Sequence, residues 1–280
     1  MSRTRQLRDP VTSHDYLLIN QPMKSNLVTR YTEPVGLNNH NKGLSVESES
    51  KTIVLPRILE IGAGASKKLA EVLAILGCKK PLIISDKVML DLGYVETLAQ
   101  ALVEQGIPYD VFTDTVPEPH EDSLLPAVAL VKEKQFDAIV ALGGGSVMDS
   151  SKAIALLARF GGQMSDYKFP RDVSQSGLPV IAIPTTAGTG SEVTQVTVIT
   201  DQKTDEKMMC KGLGLLPVAA LVDYEFTLSL PPRVTADTGI DALVHAVEAY
   251  VSRKASAYTD AQATAAMRLM GPSLLKVHRN

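Results

Sequence analysis

Short, almost continuously apolar runs alternate with stretches whose apolar residues recur at helical spacing, from about residue 52 to residue 222. Residues 138–142 form a run of the kind expected for a strand buried on both faces, 179–184 a further buried strand, and 81–84, 109–112 and 219–222 read as strands as well. Between them, Leu69, Val72, Leu73 and Leu76, then Val95, Leu98 and Leu102, then Leu124, Val128 and Val131, then Val147, Ser151, Ile154 and Ala158 predict helices. Gly106 stops the second helix, and Pro126 is tolerable in the third only if it lies in the first turn. Gly62-Ala-Gly64 is read as a helix start, because Lys67 stands where a third glycine would complete a dinucleotide fingerprint and no long apolar strand precedes it.

Repeated βα units of this length predict an α/β fold with a mainly parallel sheet covered on both faces. Its ligands gather at the carboxyl ends of the strands, near a change of strand order. Asp86, the turn at Gly143, and Thr185 with Thr186 fall at such ends. Residues 196–200 and 206–210 flank a polar 201–205 and predict a hairpin. Beyond Pro231 and Pro232 the strand signals cease, and residues 235–251 and 257–276 read as helices rich in Ala, Leu and Met. The expected organisation is a polar N-terminal extension over 1–50, an α/β domain over 51–230 and the first part of an all-helical domain over 231–280. Two helices alone leave apolar faces to cover, so this last part is expected to be incomplete.

Composition narrows the function classes. With 28 basic against 31 acidic residues and a net charge of -3, the chain has no general field for nucleic acid or acidic membranes. No apolar run approaches membrane-spanning length and the N-terminus has no h-region, so neither insertion nor export is predicted. Cys78 and Cys210 sit outside any metal-ligand spacing, which points to a reducing compartment, the cytoplasm.

Chemistry concentrates in two places. A buried strand ending in Gly143, Gly144 and Gly145 and followed by a helix start at Ser146 and Asp149 is a phosphate-binding geometry. Residues without Cβ let backbone N–H groups approach a phosphate, and the helix dipole adds positive charge. The same residues are also compatible with a tight turn that holds no ligand. Asp241 and His245 lie four apart in a predicted helix, one turn apart on one face, where they form either a surface pair or half of a divalent metal site. Glu248 stands on the same wall, as a packing group or a support for the pair.

Three motifs in order, Gly143-Gly-Gly-Ser-Val-Met-Asp-Ser-Ser-Lys152, Pro184-Thr-Thr-Ala-Gly-Thr-Gly-Ser-Glu-Val-Thr194 and the 220–248 segment with Asp223, Pro231, Asp237, Asp241 and Glu248, resemble the iron-containing (group III) alcohol dehydrogenase family from about Pro56 onward. The resemblance implies an N-terminal Rossmann-like domain, a C-terminal helical domain and a metal in the cleft between them, Fe(II) or alternatively Zn. It implies that Gly144, Gly145 and Ser146 hold the cofactor's diphosphate and that Asp149 buttresses the turn. Thr185, Thr186 and Thr189 wrap the cofactor near its phosphates and nicotinamide side, and Lys207 contacts its ribose. Asp86 falls where the family chooses between cofactors; a carboxylate there accepts hydrogen bonds from ribose hydroxyls and repels a 2′-phosphate, so NAD is expected. As a residue it also reads as a helix N-cap.

Asp241 and His245 match the first two metal ligands of the family and carry the catalytic assignment. The other two, histidines of a later segment, have no match here, and His14, His40, His120 and His278 do not fill the gap. The function implied is NAD-dependent, metal-assisted hydride transfer between a small alcohol or aldehyde and NAD, with a homodimer as the assembly. Two alternatives stand beside it: a C-terminally shortened NAD-binding fragment without turnover, and a glycerol dehydrogenase or hydroxyacid-oxoacid transhydrogenase relative.

Overall fold

β1 (Ile58–Ile61), β2 (Pro81–Ile84), β3 (Asp110–Phe112), β4 (Ala138–Gly143), β5 (Val180–Pro184) and β8 (Ala219–Val222) form one all-parallel sheet in the order β1-β8-β5-β4-β2-β3. These coordinates come from a computed structural model that describes residues 50–279 of the 280. Apart from Ser50, the expected polar extension over 1–50 lies outside the described residues. The chain lays β2 and β3 toward one edge and then β4, β5 and β8 toward the other, so strand order reverses between β2 and β4. That switch point, at the carboxyl ends, is where open α/β sheets leave a crevice.

Period-two geometry splits the central strands β2, β4 and β5 between two cores. Along β4 all six residues are buried; Ile139 and Ala141 join one core, whereas Ala138, Val140 and Leu142 join the other. On the first face lie α4 (Glu121–Lys134) and α5 (Gly145–Phe160), and on the second α1 (Leu69–Leu76) and α3 (Tyr94–Glu104). Each Leu or Ile so enclosed contributes about 1.5–3 kcal/mol. β6 (Val196–Asp201) and β7 (Glu206–Lys211) form the expected hairpin, with Val196 opposite Lys211 and Asp201 opposite Glu206, and β6 packs on α5.

Local departures from expectation have identifiable causes. Pro126 is the sixth residue of α4, in its second turn; Asp122, whose carbonyl it leaves without an N–H, is an exposed residue, and the helix continues through it. The short helix α2 (Lys87–Asp91) has too few apolar positions to show a period, and Asp86 caps it by accepting from Met89 N at 2.9 Å. Gly62 and Gly64 follow a real though brief strand, β1, and lead into a 3-10 turn at Ala65–Lys68 before α1 begins. At the far end, Pro232 opens α6 (Pro232–Val251) at a position where no helical N–H is needed. α7 (Ala257–Arg279) packs chiefly against α6. None of the helices among the described residues is long and apolar enough to cross a membrane.

Candidate functional site

β4 delivers the chain directly into the glycine corner. Thr185 N donates to Gly143 O at 3.1 Å, locking the end of β5 beside the end of β4. Gly144 is the N-cap of α5, and the first backbone bond of the helix runs from Met148 N to Gly144 O at 3.1 Å. The N–H groups of Gly145, Ser146 and Val147 precede that bond, so they face outward from a sixteen-residue helix with its positive end toward the cleft. A Cβ on Gly145 would sit 2.9 Å from Thr189 Cγ2, whereas one on Gly143 would sit 2.5 Å from Val147 Cγ2. The first glycine thus allows the helix to turn back on its strand, and the third keeps the corner open against the 185–190 loop.

In front of the corner is a cleft of about 480 Å³, and its walls include Gly145, Ser146, Asp149, Thr189, Lys207 and His245. The structure therefore brings six of the sequence-predicted residues to one cavity, from β4–α5, the 185–190 loop, β7 and α6. Asp86, Gly144, Thr185, Thr186 and Asp241 do not line it. Gly144 and Thr186 lie one layer behind, with a Gly144 Cβ position 3.4 Å from Thr186 Cγ2, and Thr185 is buried. Asp86 follows the neighbouring strand: Ser85 Oγ donates to Leu142 O at 2.7 Å, one residue before the corner. Gly188 fits against Thr238, since a Cβ there would meet Thr238 Cβ at 2.8 Å, and this contact couples the loop to the helix that carries Asp241 and His245.

Two side chains act differently from expectation. Ser146 Oγ donates to Pro117 O, so the hydroxyl holds the 117–119 strap and the backbone N–H is what remains for a ligand. Asp149 accepts from Ser191 Oγ and from Val198 N, both at 2.9 Å, and its backbone carbonyl takes Thr197 Oγ1 at 2.9 Å. It ties α5 to the 191–198 segment. Burial pushes its carboxyl above the usual range, opposed by the Val198 N–H, the Lys152 charge and the Ser191 hydroxyl.

Lys152 had no role in the sequence reading, although it closes the first motif. The residue is 1 % exposed, and its ammonium donates among Ser191 Oγ at 2.9 Å, Val196 O at 2.8 Å, and Thr194 O and Oγ1 at 3.1 Å. Burial lowers its pKa to about 8, with Asp149 and Glu192 opposing. The available signal was a lysine set directly before the apolar run Ala153–Leu157 of a helix, a position that only a paired charge can occupy. Glu118, also missed, stands at the mouth of the cleft 3.5 Å from Lys207 Nζ.

The metal assignment meets a different geometry. His245 Nε2 lies 3.8 Å from Asp241 Oδ1, with side chains 51 % and 42 % exposed. Among the described residues no group of three or more His, Cys, Asp or Glu converges to hold a metal. His120, the other described histidine outside the helical segment, caps α4 by accepting from Ser123 N at 3.2 Å. Two half-exposed donors on one helix do not make a closed site for iron or zinc.

The sequence model of iron-containing alcohol dehydrogenases matches residues 56–224, and that of the family's C-terminal domain matches residues 235–280. The chain belongs to this family. It is 43% identical over 231 residues to long-chain-alcohol dehydrogenase 1 of Geobacillus thermodenitrificans, covering 81% of this chain and 58% of that one. With the NAD-dependent methanol dehydrogenase of Bacillus methanolicus it shares 39% identity over 226 residues, 81% of this chain and 59% of the relative. The sulfoacetaldehyde reductase of Bifidobacterium kashiwanohense, solved in complex with NAD+, superposes with a TM-score of 0.75 at 31% identity, over 82% of this chain and 62% of that one. As an iron-containing alcohol dehydrogenase family member, the chain thus spans about three fifths of the length of these curated relatives.

Proposed function

We propose that this chain binds NAD at the glycine corner and serves an alcohol dehydrogenase that exchanges hydride with a small alcohol or aldehyde. The observation that supports this most is the single cleft in which the N–H groups at Gly145 and Ser146, the Thr189 loop, Lys207 and His245 face one another. Cβ-free positions at the corner and a free helix start suit a diphosphate, and the ammonium of Lys207 suits a ribose or phosphate oxygen. Asp86, just past the end of the next strand, suits the adenosine ribose. When bound, the nicotinamide supplies the hydride acceptor.

The protein's own residues fix where that acceptor stands. Asp149 and Lys152 hold the 191–198 segment, Gly188 seats the loop on Thr238, and His245 presents an imidazole at the cleft wall. No step is assigned to iron or zinc, because Asp241 and His245 are an incomplete donor set. We extend the reading to a homodimer in the cytoplasm, with a division of the described chain near residue 231; the two cysteines are both free and buried.

NADH fluorescence titration tests the binding step, and NADH appearance with a panel of primary alcohols and diols tests turnover. Saturable NADH binding that Gly145→Asp abolishes supports the reading, and its absence overturns it. The incomplete donor set favours one second reading, a dinucleotide-binding module without turnover; NADH binding with no metal-stimulated product would select it.

A further inference from the structure

We propose that Asp114 is a second residue setting the dinucleotide preference, acting through Lys87 on whatever occupies the 2′ position of the adenosine ribose; this rests on the cofactor reading above. β2 and β3 end side by side. Ile84 pairs with Phe112, Ser85 N donates to Phe112 O at 2.9 Å, and Thr115 Oγ1 donates to Ser85 O at 2.7 Å. Just beyond, an isolated antiparallel bridge pairs the backbones of Asp86 and Asp114. On its other flank Asp86 follows Ser85, whose hydroxyl is bonded to Leu142 O beside the glycine corner. Asp86 therefore stands between the corner and Asp114, and a group reaching Asp86 from the corner meets Asp114 next.

Lys87 decides what that second carboxylate does. It follows Asp86 in the chain, and its Nζ lies 3.3 Å from Asp114 Oδ1, with both side chains largely exposed. A free ammonium beside a ribose-binding carboxylate would attract a 2′-phosphate, which carries close to two negative charges. Asp114 opposes this twice: it holds the ammonium toward itself, and its own charge repels the phosphate. Removing Asp86 alone leaves both effects in place. An exposed pair contributes little to folding, so substitutions at either position leave the protein intact.

Calorimetric titration of the full chain with NAD+ and with NADP+ separates the outcomes. The set is wild type, D86G, D114N, D86G/D114N and D86G/D114N/K87M. D114N is expected to shift the affinity ratio toward NADP+ about fivefold at low ionic strength, the size of one charge acting on a phosphate several ångströms away through water. The shift should fade in high salt. D86G/D114N should exceed either single variant, and K87M should cancel most of what D114N adds. An unchanged ratio in D114N and in D86G/D114N relative to D86G overturns the proposal, as does a triple variant that keeps the gain. Wild type binding NAD+ with an immovable ratio sinks this inference alone, whereas a chain that binds neither dinucleotide sinks the cofactor reading with it.

Discussion

Lys152 is held by oxygens it cannot reach in water, and the cost and gain of that arrangement can be separated by pH. Burial depresses its pKa from 10.5 to about 8, so the folded state binds fewer protons than the unfolded chain between those values. Stability contributed at this site therefore rises as pH climbs from about 8 toward 10.5, by up to roughly 3 kcal/mol at about 1.36 per unit. The Cys210 thiol, pushed up to about 11 by burial, works in the opposite sense at the top of that range, which makes the comparison with a variant essential. Lys152→Met strips the donor from Thr194 O and Val196 O and is expected to cost about 2–4 kcal/mol. In denaturant melts the deficit of the variant should widen between neutral pH and pH about 10; a deficit independent of pH would show that the ammonium is not the group titrating. The glycines divide in a comparable way. Gly143→Ala drives a Cβ to 2.5 Å from Val147 Cγ2 and 2.7 Å from Val147 Cβ and should lower stability by about 1–3 kcal/mol, which Val147→Ala relieves only in part because that Cβ remains. Gly145→Ala presses on Thr189 instead, so NADH affinity should fall about tenfold while the melting temperature moves less.

Among the elements, α6 carries the clearest disagreement between spacing and chemistry. Four-residue spacing did place Asp241 and His245 one turn apart, and His245 does reach the cleft. What spacing could not supply is a facing element: both side chains are about half exposed, and no third donor joins them among the described residues. Calorimetry with Zn²⁺ should therefore give weak binding, and Asp241→Asn, at a residue that does not line the cleft, should abolish what there is without changing NADH affinity. Tight stoichiometric binding by this chain would refute that. The same contrast explains how much of the fold the sequence carried. β4 and β5 are legible because a strand buried on both faces reads as an unbroken apolar run, and α3 and α5 because their apolar positions recur over about two turns or more. The five residues of α2 are too few for a period, and β1 alternates half-buried with exposed residues and fully buries none. The glycine corner was legible as a turn, but the Asp149–Ser191–Lys152 network was not. It joins side chains about 40 residues apart, and nothing in local spacing encodes which carboxylate a buried lysine will meet.

Across the whole molecule, the cleft brings a helix that contributes to neither core among the described residues up to a corner and a hairpin that share the first one. The corner belongs to the sheet, Lys207 to the hairpin, and His245 to a helix whose main packing partner is α7. A ligand spanning them stabilises the folded chain by linkage, with no affinity for the unfolded one. At a hundredfold excess over Kd the gain is about 2.7 kcal/mol, which for a chain of this size raises the melting temperature by roughly 5–10 °C. α6 also leaves Ile240, Val244, Val247 and Val251 exposed in one stripe at helical spacing, and α7 leaves Leu269, Leu275 and Val277. An apolar stripe of this kind drives association, which itself raises apparent stability with protein concentration. The two effects are separable. Val244→Asp with Val247→Asp should reduce concentration-dependent sedimentation and remove the concentration dependence of the melting temperature, while the NAD-induced shift persists. Gly145→Asp should do the reverse, abolishing the shift with NAD and leaving association untouched. If the stripe variant also loses the NAD shift, α6 is needed to complete the cofactor site, and the cleft is a joint construction of the sheet and the helical pair.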